Sequence, residues 1–274
     1  MIKFAHIPLK DFIKKYNPQE PKKEIIENFE KEINSLLENA PRQDYEEFQK
    51  DKINKFLKNT YGYEYEPYKK VDSAICVDGK AWVLIEVKAL NNKTEFPKDK
   101  ENPLSKAFCQ MVFYFLKEIE NNNSLKHAII CNAHEFFLFD CKDLLLFQND
   151  KRINKFYKNW ANNEGTDPST KRFYSDLEEY LKKDFKGELH YTYFNLSSYD
   201  PKELIYQVLS HEVLLKQKKT LDANTLNKDF YEELLYILGL EEQNEKGKIL
   251  IKPSRTQNSL SHALKKEYKN LDDE

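Results

Sequence analysis

Residues 71–88, VDSAICVDGKAWVLIEVK, constrain the fold more than any other stretch of the sequence. Two apolar runs flank Asp78-Gly79, and Asp-Gly between apolar runs is a strong signal for a tight hairpin turn. The strands are expected near residues 68–77 and 80–90. Three charged residues interrupt them: Asp72 in the first, Glu86 and Lys88 in the second. Charge is costly to bury in a strand unless it is paired or holds a metal. The hairpin therefore has to be accommodated chemically as well as structurally.

The elements around it predict an α/β fold, a mixed β-sheet flanked by helices and followed by a mainly helical C-terminal region. Apolar residues at helical spacing predict helices over 21–40 (Ile25, Ile26, Phe29, Ile33, Leu36, Leu37) and 43–59 (Tyr45, Phe48, Ile53, Phe56, Leu57). A polar loop over 91–103, broken by Pro97 and Pro103, leads to a helix over 104–121 and short strands over 126–132 and 135–140. Residues 1–20 read as an irregular lead-in anchored by Phe4, Ile7, Leu9, Phe12 and Ile13. Beyond 140, helices are expected over 142–147, 151–161, 168–185, 200–217 and 226–240, with strands near 189–196 and 247–252. The shift near 195–200 sets the expected boundary, a first domain over 1–197 and a second over 198–274.

Composition narrows the chemistry. Only 6 glycines occur in 274 residues, and no GxGxxG or Walker A pattern is present. Charge is dense (33%) but balanced at net −2, and of 44 basic residues only Arg42, Arg152, Arg172 and Arg255 are arginine. Base-edge readout usually leans on arginine, yet the bulk composition neither proves nor excludes nucleic acid, because a local lysine-rich face can coexist with a neutral total. Cys76, Cys109, Cys131 and Cys141 form no CxxC pair and read as reduced structural thiols, which implies a cytoplasmic protein. No stretch approaches 18 apolar residues, and the N-terminus lacks the apolar run of a signal peptide. His134-Glu135 and His211-Glu212 lack the second histidine of a zinc HExxH motif.

Glu86 and Lys88, two residues apart in a strand, share one face, and a closed hairpin brings Asp72 toward it. Two carboxylates and the Val87 carbonyl are hard oxygen ligands of the kind Mg²⁺ prefers. A lysine beside them can orient or deprotonate an attacking water. Written as Val71-Asp72 … Glu86-Val87-Lys88, this pattern resembles the PD-(D/E)xK nuclease superfamily, with Val in place of the motif's Pro. Gln110 and Tyr114 add a QxxxY similar to that of restriction enzymes, and spacing of four puts both on one helical face. The passage from His127 to Asn132, followed by Glu135 to Asp140, is similar to the one that completes the sheet in restriction subunits. A further carboxylate is expected from Glu46 or Glu47. At about 100° per residue, Glu46 falls nearer the apolar stripe and is the one expected.

The resemblance implies a restriction-endonuclease-like core and a Mg²⁺-dependent endonuclease acting on double-stranded DNA, with Mn²⁺ able to substitute. Asp72, Glu86, the Val87 carbonyl and Glu46 would bind the metal, Lys88 would handle the water, and Gln110 would support Lys88 or a phosphate. Residues 222–242 resemble the helical connector of type IIG restriction–modification enzymes. In those enzymes a methyltransferase and a target-recognition domain follow. No S-adenosylmethionine loop or NPPY-type tetrapeptide occurs here, so the resemblance implies the N-terminal part of such an enzyme, with those domains as partners. Other readings are a non-catalytic nuclease-like DNA-binding or docking module, a stand-alone repair nuclease, and an ordinary surface hairpin with solvated charges.

Overall fold

The computed structural model describes residues 1–66, 73–161, 167–198, 202–217, 228–245, 248–254, 260, 262 and 264–265. It divides into two compact units, Met1–Lys218 and Lys219–Glu274. The first unit carries a seven-stranded mixed sheet: β1 (Lys3–His6), β2 (Glu64–Glu66), β3 (Ser73–Val77), β4 (Lys80–Val87), β5 (His127–Cys131), β6 (Glu135–Asp140) and β7 (Glu188–Asn195). Their spatial order is β1-β7-β6-β5-β4-β3-β2. The β1–β7 and β4–β5 pairs are parallel, and the other neighbours are antiparallel.

The turn after β3 has Asp78 at φ 51° and Gly79 at φ 71°. Positive φ at both central residues is the type I′ geometry that matches strand twist, which is why Asp-Gly occupies it. Parallel β4 and β5 need a crossover, and α4 (Lys106–Ile119) supplies it. The Ser105 hydroxyl starts α4 by accepting from the Phe108 N–H. At its far end the Asn122 amide donates to the Ala81 carbonyl at 2.8 Å, fastening the helix to the start of β4.

Both faces of the sheet are covered. On one face α4, α5 (Cys141–Asn149), α6 (Lys151–Ala161) and α7 (Asp167–Lys183) bury Leu84, Phe108, Phe115, Phe137, Phe139 and Leu177. On the other, α1 (Leu9–Lys14), α2 (Lys23–Asn39), α3 (Glu46–Tyr61), α8 (Lys202–Val208) and α9 (His211–Leu214) bury Ile33, Ile53, Ile85, Phe136 and Leu138. Burial on both sides explains why β5 and β6 read as apolar runs rather than alternating patterns. All four cysteines are buried thiols. Among the described residues no helix is long and apolar enough to cross a membrane.

Three features depart from the sequence expectation. The lead-in is structured: β1 pairs in parallel with β7, Phe4 opposite Leu189, and α1 follows. A four-residue strand has too few residues to display a period, and its partner lies at the other end of the unit. The helix expected over 200–217 is two, α8 and α9. The Tyr63 hydroxyl takes the Leu209 carbonyl and the His127 ring takes the Leu214 carbonyl, so these groups serve tertiary bonds. Because α8 and α9 bury Ile205, Val208, Val213 and Leu214 against the sheet, the division falls after Lys218 rather than at 197/198.

The second unit contains α10 (Lys228–Leu238) and an antiparallel pair, β8 (Leu240–Glu245) and β9 (Lys248–Pro253). Gly239, at φ 71°, ends α10. The strand β8, LEEQNE, has no strand propensity of its own and exists by pairing with β9.

Candidate functional site

The site lies where β4 ends. From Val83 onward its odd-numbered residues face α3 and its even ones face α4, as Ile85 and Leu84 do. The Val87 side chain is fully buried on the α3 face, which puts Glu86 and Lys88 on the other by the strand's period of two. Glu86 is 2% exposed and Lys88 3% exposed, so both charged side chains have been removed from water. The Lys88 Nζ lies 2.8 Å from Glu86 Oε1. It also donates to Glu46 Oε1 at 3.3 Å, reaching the first turn of α3. The lysine thus bridges a strand carboxylate and a helix carboxylate. Among the described residues, two carboxylates share one ammonium.

The backbone around Lys88 is held on two sides. Its own N–H donates to the Cys131 carbonyl at 2.9 Å, extending the β4–β5 ladder by one residue. Two residues on, the Leu90 N–H donates to Gln49 Oε1 at 2.8 Å, while Gln49 Nε2 donates to the Gln43 carbonyl at 3.0 Å. Gln49 is fully buried and stands one turn after Glu46 on α3. It fixes the distance between the helix that carries Glu46 and the chain that carries Lys88. Sequence reasoning missed it. The only signal was a glutamine placed four residues before Ile53, on the buried stripe. A third tie between α3 and the sheet is the Ser73 hydroxyl, which donates to Asn54 Oδ1 at 2.9 Å.

From the sequence-derived set, the structure brings together Glu46, Glu86 and Lys88, with Val87 between the last two. Glu47 goes elsewhere: it is exposed, and Lys50 binds it at 2.6 Å. Gln110 lies on α4, the helix covering the Glu86 face, and its buried Oε1 has no hydrogen-bond partner among the described residues. Asp72 lies outside the described residues. The Asn132 side chain caps the β5–β6 turn by accepting from the His134 and Glu135 N–H groups at 2.8 and 2.7 Å.

Tyr114, one turn after Gln110, shares a side-chain hydrogen bond with Tyr174 of α7, which also bonds Thr170. Burial, then the neighbouring Tyr114 and the Glu86 charge, hold the Tyr174 phenol well above its ordinary value. Tyr174 therefore belongs to the wall around Glu86. Sequence reading missed it because α7 is sixty residues beyond α4 and no spacing links them.

Among the described residues no three metal-ligating side chains converge. The donors that meet at Lys88 among the described residues, the Glu86 and Glu46 carboxylates, are hard oxygens. That donor set fits a small hard cation such as Mg²⁺ and does not suit a thiolate- or imidazole-seeking metal.

A model for the family described as "Domain of unknown function (DUF7149)" matches residues 7–222. A second, described as "Domain of unknown function (DUF7814)", matches residues 223–274. No curated protein and no solved structure matches the chain.

Proposed function

The chain belongs to the DUF7149 family, and we propose that its first unit is a Mg²⁺-dependent nuclease hydrolysing phosphodiester bonds of DNA. The observation that carries this reading is the Glu46–Lys88–Glu86 bridge, a buried lysine held between two carboxylates at the end of a central strand. A purely structural buried ion pair gains little over an apolar pair of similar volume. Two carboxylates gathered around one lysine among the described residues instead suit a cation and a phosphate.

In this reading Glu86, Glu46 and the Val87 carbonyl hold the metal, together with Asp72, whose role comes from the motif alone. When bound, the metal neutralises charge developing on the phosphate. Lys88 keeps a positive charge beside the reacting centre and can donate a hydrogen bond to the incoming water or to a phosphate oxygen. Gln110 offers a second polar contact from α4. Tyr114 and Tyr174 close the α4–α7 side against water. Double-stranded DNA is the proposed substrate. The resemblance of residues 222–242 to a type IIG connector supports a methyltransferase and a target-recognition domain as partners.

A second reading, a non-catalytic nuclease-like DNA-binding or docking module, is favoured by one observation: no three-ligand cluster occurs among the described residues. Incubating the full chain with supercoiled plasmid and Mg²⁺ separates the two. The nuclease reading expects nicked or linear product that disappears with EDTA and in Glu86→Gln. Cleavage unaffected by Glu86→Gln would sink it.

A further inference from the structure

Tyr45 is the residue at the mouth of the site that helix formation does not explain. It occupies the N-cap of α3, one residue before Glu46, in extended backbone, and its side chain makes no capping hydrogen bond. Ser, Thr, Asp and Asn are the residues that stabilise this position, and tyrosine brings none of that. Nor does its ring fill the core. It is 62% exposed, and among the described residues of the first unit it is the one exposed large aromatic side chain. The other Phe, Tyr and Trp rings described in that unit are buried or half-buried, so this one is conspicuous by chemistry as well as by place.

The ring is braced. Phe48, one turn on, meets it edge-to-face with centroids 6.2 Å apart. Lys52, a further turn along the same side of α3, sets its ammonium 4.5 Å from the Phe48 centroid. An exposed ring held from below, with a cation close by, is the arrangement on which a nucleobase stacks, because every base offers a π-face and the strand it belongs to is anionic. The next residue, Glu46, accepts from Lys88. A strand with its phosphate at Lys88 would thus have a neighbouring base within reach of Tyr45.

We infer that Tyr45, braced by Phe48, is a base-stacking platform beside the Glu46–Lys88 pair, and that the DNA strand taken there has a base out of the helical stack next to the scissile phosphate. This rests on the nuclease reading for its substrate and goes further by naming its form: an end, a flap or a locally opened duplex.

The experiment uses 2-aminopurine, whose fluorescence falls when it stacks on an aromatic ring. A series of duplexes with a single-stranded overhang, each carrying the probe at one position, is titrated with the full chain in EDTA at low salt. The expected result is quenching confined to one or two adjacent positions, kept in Tyr45→Phe and lost in Tyr45→Ala. Binding by the alanine variant should weaken by roughly 5- to 150-fold. Thermal melts should show both variants folded, as expected for an exposed site. Quenching absent at every position, or unchanged in Tyr45→Ala, overturns the platform. So does a Tyr45-dependent dimer in sedimentation that leaves the fluorescence untouched, since the ring would then be a protein contact. Quenching by a chain that cuts no DNA in Mg²⁺ supports the platform and overturns the nuclease reading, which keeps the two failures distinguishable.

Discussion

Two polar clusters, buried or half-buried, sit at opposite ends of the β4–β5 pair, and they are built differently. At the start of β5, His127 is fully buried, with Nδ1 2.7 Å from the Leu214 carbonyl and Nε2 3.3 Å from the Tyr16 hydroxyl. Its cross-strand partner Asp140 takes two bonds from Lys216 at 2.7 Å. One carboxylate meets one ammonium, and the histidine uses both ring nitrogens. At the other end of the pair, Lys88 serves two carboxylates, and on α4 a buried Gln110 oxygen has no partner among the described residues. The first cluster closes on itself and fastens the end of the first unit to the sheet. Among the described residues, the second sets two carboxylates against one ammonium. That difference separates a structural polar network from one with capacity for a ligand.

The largest effects should come from the unbalanced end. Glu86→Gln and Lys88→Met should each lower the rate of DNA cleavage by about 10²–10³-fold or more, as expected for losing a charged group at a phosphoryl site. Quantifying plasmid product over time measures it, and loss of activity with a native circular dichroism spectrum keeps folding apart from chemistry.

The same residues carry stability. Lys88→Ala strands Glu86 without its nearest cation at 2% exposure, which should cost about 3–5 kcal/mol. Glu86→Gln combined with Lys88→Met should recover most of the loss in urea unfolding while restoring no cleavage. Recovery of both would mean that the pair is structural, like Asp140–Lys216.

The balanced end should show itself through pH. Burial first, then the Lys216 charge, hold His127 down to about 4, partly opposed by Asp140 and the Leu214 carbonyl. Burial pushes the Asp140 carboxyl up, but the Lys216 hydrogen bond and the His127 and Lys142 contacts outweigh it and leave it below its ordinary value. With the folded His127 value below the unfolded 6.5, the unfolded chain takes up the proton first as pH falls. The stabilisation is therefore whole above about pH 6.5 and is lost on the way down to about pH 4, up to about 3 kcal/mol. Urea midpoints across that window measure it, and His127→Gln should flatten the slope. The smallest effect is expected from Gln49→Leu. It leaves the Leu90 N–H and the Gln43 carbonyl unpaired and should cost about 1–3 kcal/mol, with a lower kcat and a nearly unchanged KM.

The contrast between the two ends also explains what the sequence could reveal. The hairpin, the crossover helix and the β5–β6 passage were legible because each is local: Asp78-Gly79 dictates its own turn, and α4 displays its own period. Glu86 and Lys88 were legible for the same reason, being two residues apart in one strand. Glu46 was within reach by helical projection. Gln49 and Tyr174 were not, since each acts through a partner far away in sequence: Gln49 through Leu90, Tyr174 through Tyr114. The entire His127 network was hidden likewise, because His127, Asp140 and Lys216 meet only when β5, β6 and the end of α9 are assembled. Strand β1 was lost to its brevity and β8 to its charged sequence, both being strands that only a partner makes.

One measurement bears most directly on the distinction. Isothermal titration of the full chain with Mn²⁺ should show cation binding that is abolished by Glu86→Gln and retained by Asp140→Asn. Binding that survives Glu86→Gln but is lost with Asp140→Asn would contradict it, and would move the cation to the other end of the sheet.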